Sequence, residues 1–210
     1  PILVQFGPLI LTVKAISVGL TKDQTLGHII QDQAYIKILE QEDMDYPRLD
    51  VWGISDNDLF KVAHETFQNI DRSQPFFAIV QTATNHRPYS IPKNIEGFNL
   101  KDVDKTVLSH AGFDSKEQYN AMRLLDHVVG EYISSAKTAP YFNNTIFLFF
   151  GDHGTSDPKA LHMPNSDYYL KLRSYQVPFF IYGPEHIKGG IVRNDVSPVS
   201  YTHLRAHETE

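Results

Sequence analysis

An α/β domain, with a largely parallel sheet flanked by helices on both faces, is the fold class this sequence predicts, on three observations. Short apolar runs bounded by turn residues recur at Pro75–Thr84, Thr145–Phe150 and Val177–Tyr182, the pattern of strands buried on both faces. Amphipathic helical segments beginning near Ser55 and Ser115 alternate with those runs, as parallel sheets require of their crossovers. Gly, Pro and Asn stand at the ends of the runs, where the chain must turn. In such sheets ligands bind beyond the carboxyl ends of the strands, so Asn85-His86 and Asp152-His153 share one edge if their strands are parallel.

The elements follow in order. The first twenty residues, PILVQFGPLILTVKAISVGL, are interrupted by Pro1, Gln5, Pro8 and Lys14 and lack the charged start and continuous apolar core of a secretory leader. They are expected to be an interrupted strand-like segment or a truncated or foreign start, and residues 1–25 are left unplaced. Leu26 to Pro47 shows no clean periodicity. Ser55 is a good helix N-cap with Asp56 and Asp58 in the first turn, and Leu59, Phe60, Ala63, Phe67 and Ile70 fall on one stripe. Trp52 with Asp56 is expected to be a packing cluster at that helix start. Pro75 opens a buried strand ending at Thr84-Asn85-His86-Arg87-Pro88. Ser90 to Asp114, with Pro92, Gly97 and Gly112, is expected to be a polar connection, functional or irregular. Ser115-Lys116-Glu117-Gln118 is a capping box, followed by Tyr119, Met122, Leu125, Val129 and Ile133 at helical spacing. Within this helix Asp126 is expected to bond a neighbouring loop and His127 to be exposed. The last strand ends at Gly183-Pro184.

A net charge of -6 argues against nucleic acid, whose phosphates need clustered Lys and Arg. The chain has no cysteine, which removes disulfides and thiolate metal sites without fixing a compartment. No apolar run is long enough to span a bilayer.

The chemistry concentrates in FLFFGDHGTSDPKALH, where a buried strand delivers Asp152 and His153 to one spot. A carboxylate oxygen beside an imidazole nitrogen suits Mn or Zn better than Mg or Ca, and Gly154 would let the backbone turn sharply behind them. The alternative is a strand-ending turn in which Asp152 caps backbone amides. His86 could bond an anionic oxygen, bind a metal or satisfy a loop carbonyl, and His162, beyond a polar loop, could fold back over the site. Arg87 and Lys159 could neutralise an anionic substrate, or simply be solvated. Tyr168, Tyr169 and Tyr175 with Lys171 and Arg173 could form an aromatic and basic recognition surface, although the acidity of the chain favours an ordinary surface.

Five stretches in sequence, DVWGISDNDLF (Asp50 to Phe60), PFFAIVQTATNHRPY (Pro75 to Tyr89), YNAMRLLD (Tyr119 to Asp126), FLFFGDHG (Phe147 to Gly154) and YQVPFFIYGP (Tyr175 to Pro184), resemble the sulfatase and alkaline-phosphatase superfamily. Within it they are most similar to lipoteichoic-acid-synthase-like phosphoglycerol transferases, from about Leu26 to Val196. The resemblance implies that Asp152 and His153 hold a divalent metal (Mn or Zn, with Mg or Ca as alternatives), and that His86 and His162 lie in the substrate site. It implies a covalent phospho-threonine intermediate on an anionic lipid or glycan phosphodiester, neutral histidines donating hydrogen bonds to the phosphoryl oxygens, and a parent enzyme on the extracytoplasmic side of a bacterial membrane.

Against that pattern, no catalytic nucleophile is found in this chain. It is expected upstream, together with any membrane segment, so residues 26–199 are read as the C-terminal part of a catalytic domain that is inactive alone. Sulfatase chemistry, or a fragment that only binds metal or anions, remains the alternative. His203 and His207 have metal-like spacing, but SYTHLRAHET resembles a translated sequencing adapter, and residues 200–210 are set aside.

Overall fold

In the computed structural model, the backbone is described for residues 14–18, 36–73, 75–155 and 158–191, with side chains from residue 39 onward. The expectations for residues 1–13 and for the 200–210 tail with His203 and His207 fall outside the described residues.

The chain is α/β. Strands β1 (Lys14–Val18), β2 (Ile36–Leu39) and β3 (Phe76–Val80) form a parallel sheet in the order β2-β1-β3. Register runs from Lys14 opposite Phe76 to Val18 opposite Val80 on one side of β1, and from Ala15 opposite Ile36 to Val18 opposite Leu39 on the other. The central strand thus comes from the segment left unplaced by sequence. Strands β4 (Phe147–Phe150) and β5 (Phe179–Tyr182) pair separately and antiparallel, with Phe147 opposite Tyr182 and Phe150 opposite Phe179. Among the described residues, β3 and β4 therefore belong to different sheets, and the shared edge that parallel neighbours would have given His86 and Asp152 is not built that way.

Helix α1 (Asp56–Gln68) starts where its cap dictates: the Ser55 hydroxyl accepts the Asp58 amide at 3.2 Å. Leu59, Phe60, Ala63 and Phe67 are buried as their spacing predicts. Helix α2 (Lys105–Ala111) interrupts the segment expected to be a polar connection. Asp104 caps it by accepting the Thr106 and Val107 amides, and Gly112 ends it at φ 83°. Those amides hold the Asp104 carboxyl below its ordinary range.

Helix α3 (Lys116–Ala136) begins with the Ser115 hydroxyl accepting the Gln118 amide at 3.1 Å, while the Gln118 side chain reaches back to the Asp114 amide. Its core stripe lies one residue around from the predicted one. Ala121, Leu124, Val128, Tyr132 and Ala136 are buried, and Met122 is half exposed, because Ala side chains and a hydroxyl-bearing Tyr take positions that apolar bulk alone does not mark. The expectation for the neighbours also reverses. Asp126 is exposed, and it is His127 whose Nε2 meets the Glu96 carbonyl at 2.9 Å with its ring on Phe98.

Helices α1 and α3 pack together over a core that takes in Phe142, from a 3-10 turn at Phe142–Asn144, and Phe147 of β4. Within it His64 Nδ1 lies 2.8 Å from the Tyr141 hydroxyl, which also bonds Tyr132; burial drives both phenols up from their usual value.

Candidate functional site

His86 sits on the loop that leaves β3, and three contacts build that loop. Asp56, 1% exposed at the first turn of α1, accepts the Ala83 amide at 2.9 Å and the Thr84 amide at 3.1 Å. Burial raises its carboxyl above the ordinary value, with the Thr84 and Ala83 hydrogen bonds opposing. The His86 amide then returns to the Ala83 carbonyl at 2.9 Å. Finally the Trp52 ring lies on the His86 ring with centroids 3.8 Å apart, while its Nε1–H donates to the Arg87 carbonyl at 2.7 Å.

Trp52 is held by a tight turn. Its amide donates to the Asp50 carboxylate at 2.8 Å, and Gly53 follows at φ 120°, where a Cβ would also press on Gln41. The expected packing cluster of Trp52 and Asp56 is therefore a cradle for the His86 loop. The signal was available in the Trp-Gly-x-Ser-Asp order, but the long-range pairing from residue 56 to residue 84 was not.

The imidazole of His86 is exposed, and its Nδ1 lies 3.0 Å from the Arg87 carbonyl. A carbonyl can only accept, so Nδ1 carries the proton and Nε2 of the neutral ring presents a lone pair. With Nδ1–H held by that carbonyl, Nε2 donates only when the ring is protonated.

His153 repeats the arrangement. Its Nδ1 meets the Gly154 carbonyl at 3.1 Å, leaving Nε2 free, and that atom lies 3.9 Å from Asp152 Oδ2. The other carboxylate oxygen of Asp152 accepts the His153 amide at 2.9 Å, as the turn reading expects. Both side chains are largely exposed, at 82% for Asp152 and 66% for His153.

Gly154 serves a purpose other than the sharp turn expected of it. Its amide donates to the Ser174 carbonyl at 2.9 Å, and a Cβ there would fall 2.0 Å from the Arg173 carbonyl oxygen. The residue is fixed by close backbone approach, which clamps residues 151–154 to the 173–176 segment.

Arg87 pairs with Asp114, and Lys159 Nζ donates to Asn165 Oδ1 at 2.6 Å, so each of these basic side chains has an internal partner. The Arg87–Asp114 pair carries the His86 loop toward Gly112, against which Arg173 Nη1 rests, and Arg173 is the residue under Gly154. A line of contacts thus runs from His86 to the Asp152-His153 turn. His162 is exposed, on a loop tied to α2 by the Leu161 amide and the His110 carbonyl at 2.8 Å.

The donor set of Asp152 and His153 fits a divalent ion in type. One carboxylate oxygen and one imidazole nitrogen with its second nitrogen held by a carbonyl is the arrangement that metal-ligating histidines adopt. Ligands about 2.1 Å from an ion at tetrahedral angles stand roughly 3.4 Å apart, against 3.9 Å between His153 Nε2 and Asp152 Oδ2 here. Among the described residues no group of three or more His, Asp or Glu could hold a metal, so these two are fewer than the four ligands of a complete site.

The site region thus combines a histidine loop beyond β3 of the parallel sheet with a Gly-Asp-His-Gly turn after β4 of the separate strand pair. A protein of the alkaline phosphatase superfamily from Vibrio parahaemolyticus has the same fold, with a TM-score of 0.56 at 24% identity over 81% of this chain and 38% of that one. Residues 18–204 match the Sulfatase family, and the chain belongs to it. Lipoteichoic acid synthase 1 of Bacillus subtilis is 25% identical over 179 residues, covering 81% of this chain and 26% of that protein. An arylsulfatase of Clostridium perfringens is 33% identical over 150 residues, covering 57% of this chain and 30% of that protein. The chain thus spans between a quarter and a third of the length of these relatives, and the family they share is one of phosphoester transferases and sulfate-ester hydrolases.

Proposed function

We propose that this chain forms part of a metal-dependent transferase acting on a phosphoglycerol or related phosphodiester headgroup of an anionic lipid or glycan. The observation that carries the reading is the pair Asp152 and His153, with Nδ1 of His153 spent on the Gly154 carbonyl and Nε2 open beside a carboxylate. The relation to a lipoteichoic acid synthase over 81% of the chain, against 57% for the arylsulfatase, supports a phosphodiester over a sulfate ester.

In this reading Asp152 and His153 hold a divalent ion, Mn or Zn from the donor set, whose Lewis acidity would stabilise charge on the phosphoryl oxygens. A threonine elsewhere in a longer protein attacks phosphorus, the bond from phosphorus to the leaving alcohol breaks, and an acceptor hydroxyl later displaces the threonine. His86, its Nδ1–H tied to Arg87, contributes through Nε2. Protonated, it donates to a non-bridging oxygen, and neutral, it accepts a proton from an attacking hydroxyl. His162 is a further contact to the anion. The domain takes in the central strand β1, so it begins ahead of residue 26 and runs on to about residue 199, and the enzyme works at the outer face of a bacterial membrane; no helix among the described residues is long and apolar enough to cross it.

The test is calorimetric titration of the 210-residue chain with Mn²⁺ and Zn²⁺. Binding is expected, and Asp152→Ala is expected to abolish it; equal affinity in the variant would refute the site. Sulfate-ester hydrolysis is the second reading, favoured by the 33% identity to the arylsulfatase. A Cys or Ser in place of the threonine in the longer gene would select it.

A further inference from the structure

We propose that the segment from Leu161 to Tyr175 is a docking surface for an anionic phospholipid bilayer. Tyr169 is 78% exposed, Leu170 65%, Tyr175 81% and Leu161 55%, a concentration of large apolar side chains that a soluble surface does not need. Local geometry presents them. Helix α4 (Asn165–Tyr169) and the 3-10 turn Leu172–Ser174 are joined through Lys171, whose φ of 53° is unusual for a residue with a side chain. That reversal puts Tyr169 and Leu170 ahead of an exposed Lys171, with Leu172 and Tyr175 behind it.

Charge identifies the partner. From Leu161 to Tyr175 there are two basic residues, Lys171 and Arg173, and one acidic residue, Asp167, in a chain of net charge -6. A locally cationic segment on an acidic protein is attracted to a negative surface, and Tyr and Leu beside Lys is the composition that settles at the level of lipid headgroups. The outer face of the β4–β5 ribbon makes the contrast. Leu148, Phe150 and Ile181 are exposed there too, but neither strand carries a charged residue, which suits more polypeptide rather than a headgroup layer.

The surface adjoins the proposed metal pair, because Gly154 is clamped on Arg173 and Ser174. It would present a headgroup to Asp152 and His153, yet docking itself needs neither metal nor nucleophile. The two proposals therefore fail independently.

The experiment is flotation of the 210-residue chain, with EDTA present, on vesicles of equimolar phosphatidylglycerol and phosphatidylcholine, and on phosphatidylcholine alone. At least tenfold stronger binding to the anionic vesicles is expected. The Tyr169→Ser/Tyr175→Ser double variant should weaken it at least tenfold and Lys171→Glu should reduce the preference, with unchanged circular dichroism and melting because all three side chains are exposed. Asp152→Ala should float like the parent. No binding by the parent, equal binding to both vesicle types, or full binding by the well-folded double variant would each overturn the proposal. So would a concentration-dependent dimer in sedimentation that the same substitutions dissolve without any vesicle binding, which would make this face a protein interface.

Discussion

The indole of Trp52 lies on the imidazole of His86 with ring centroids 3.8 Å apart, and its Nε1–H holds the carbonyl of the next residue, Arg87. One side chain thus fixes both the ring and the peptide that sets which nitrogen of that ring is protonated. Trp52→Phe keeps a ring against His86 but removes the donor, and is expected to lower unfolding free energy by about 1 kcal/mol. Trp52→Ala should cost roughly 1–2 kcal/mol and broaden or shift the His86 ring signals in NMR. Unaltered His86 signals in the alanine variant would remove Trp52 from this role.

Asp56→Asn tests the clamp between α1 and the His86 loop. An amide oxygen can still accept, but the NH₂ group faces a buried N–H of Ala83 or Thr84, at a cost of about 1–3 kcal/mol in urea unfolding near pH 5. The pH dependence has a definite sign. Burial raises the folded carboxyl above its ordinary 3.8, so its contribution is full below that value and is lost as pH rises through the folded value. The stability difference between parent and variant should therefore narrow as pH rises from 4 to 8, and a widening difference would contradict the desolvated carboxyl.

Gly154→Ala places a methyl 2.0 Å from the Arg173 carbonyl oxygen and 2.8 Å from that of Gln176, both backbone atoms that cannot swing aside. Displacing the turn is expected to cost about 1–3 kcal/mol in thermal or urea unfolding and to weaken Mn²⁺ or Zn²⁺ affinity by calorimetry. Wild-type stability in this variant would show the contact to be loose.

Local signals in the sequence carry much of the fold. Ser55 and Ser115 start their helices where the caps stand, and β3, β4 and β5 fall inside the predicted apolar runs. What escaped depended on distant partners or on short punctuation. The seven residues of α2 are bounded by Asp104 and Gly112, a signal present in the sequence but set in a connection too polar to show a stripe. The Asp56 clamp and the Arg87–Asp114 pair span 28 and 27 residues, beyond any periodicity. Residues Asp152 and His153 were legible as a candidate pair because both follow one apolar strand. The tethers on Nδ1 were not, since they depend on backbone carbonyls rather than residue types.

The contact beneath Gly154 also bears on orientation. Because the 151–154 turn has no room to separate from residues 173–176, the distance between Asp152-His153 and the exposed Tyr175 is a built-in length rather than an average over loop positions. A chain lying on a bilayer through Tyr169 and Tyr175 would hold Asp152 and His153 at one height above the headgroup plane. On the proposed function, reach would then select among phosphodiesters: those standing at that height, with longer or shorter headgroups missing Asp152 and His153 even when their chemistry is the same.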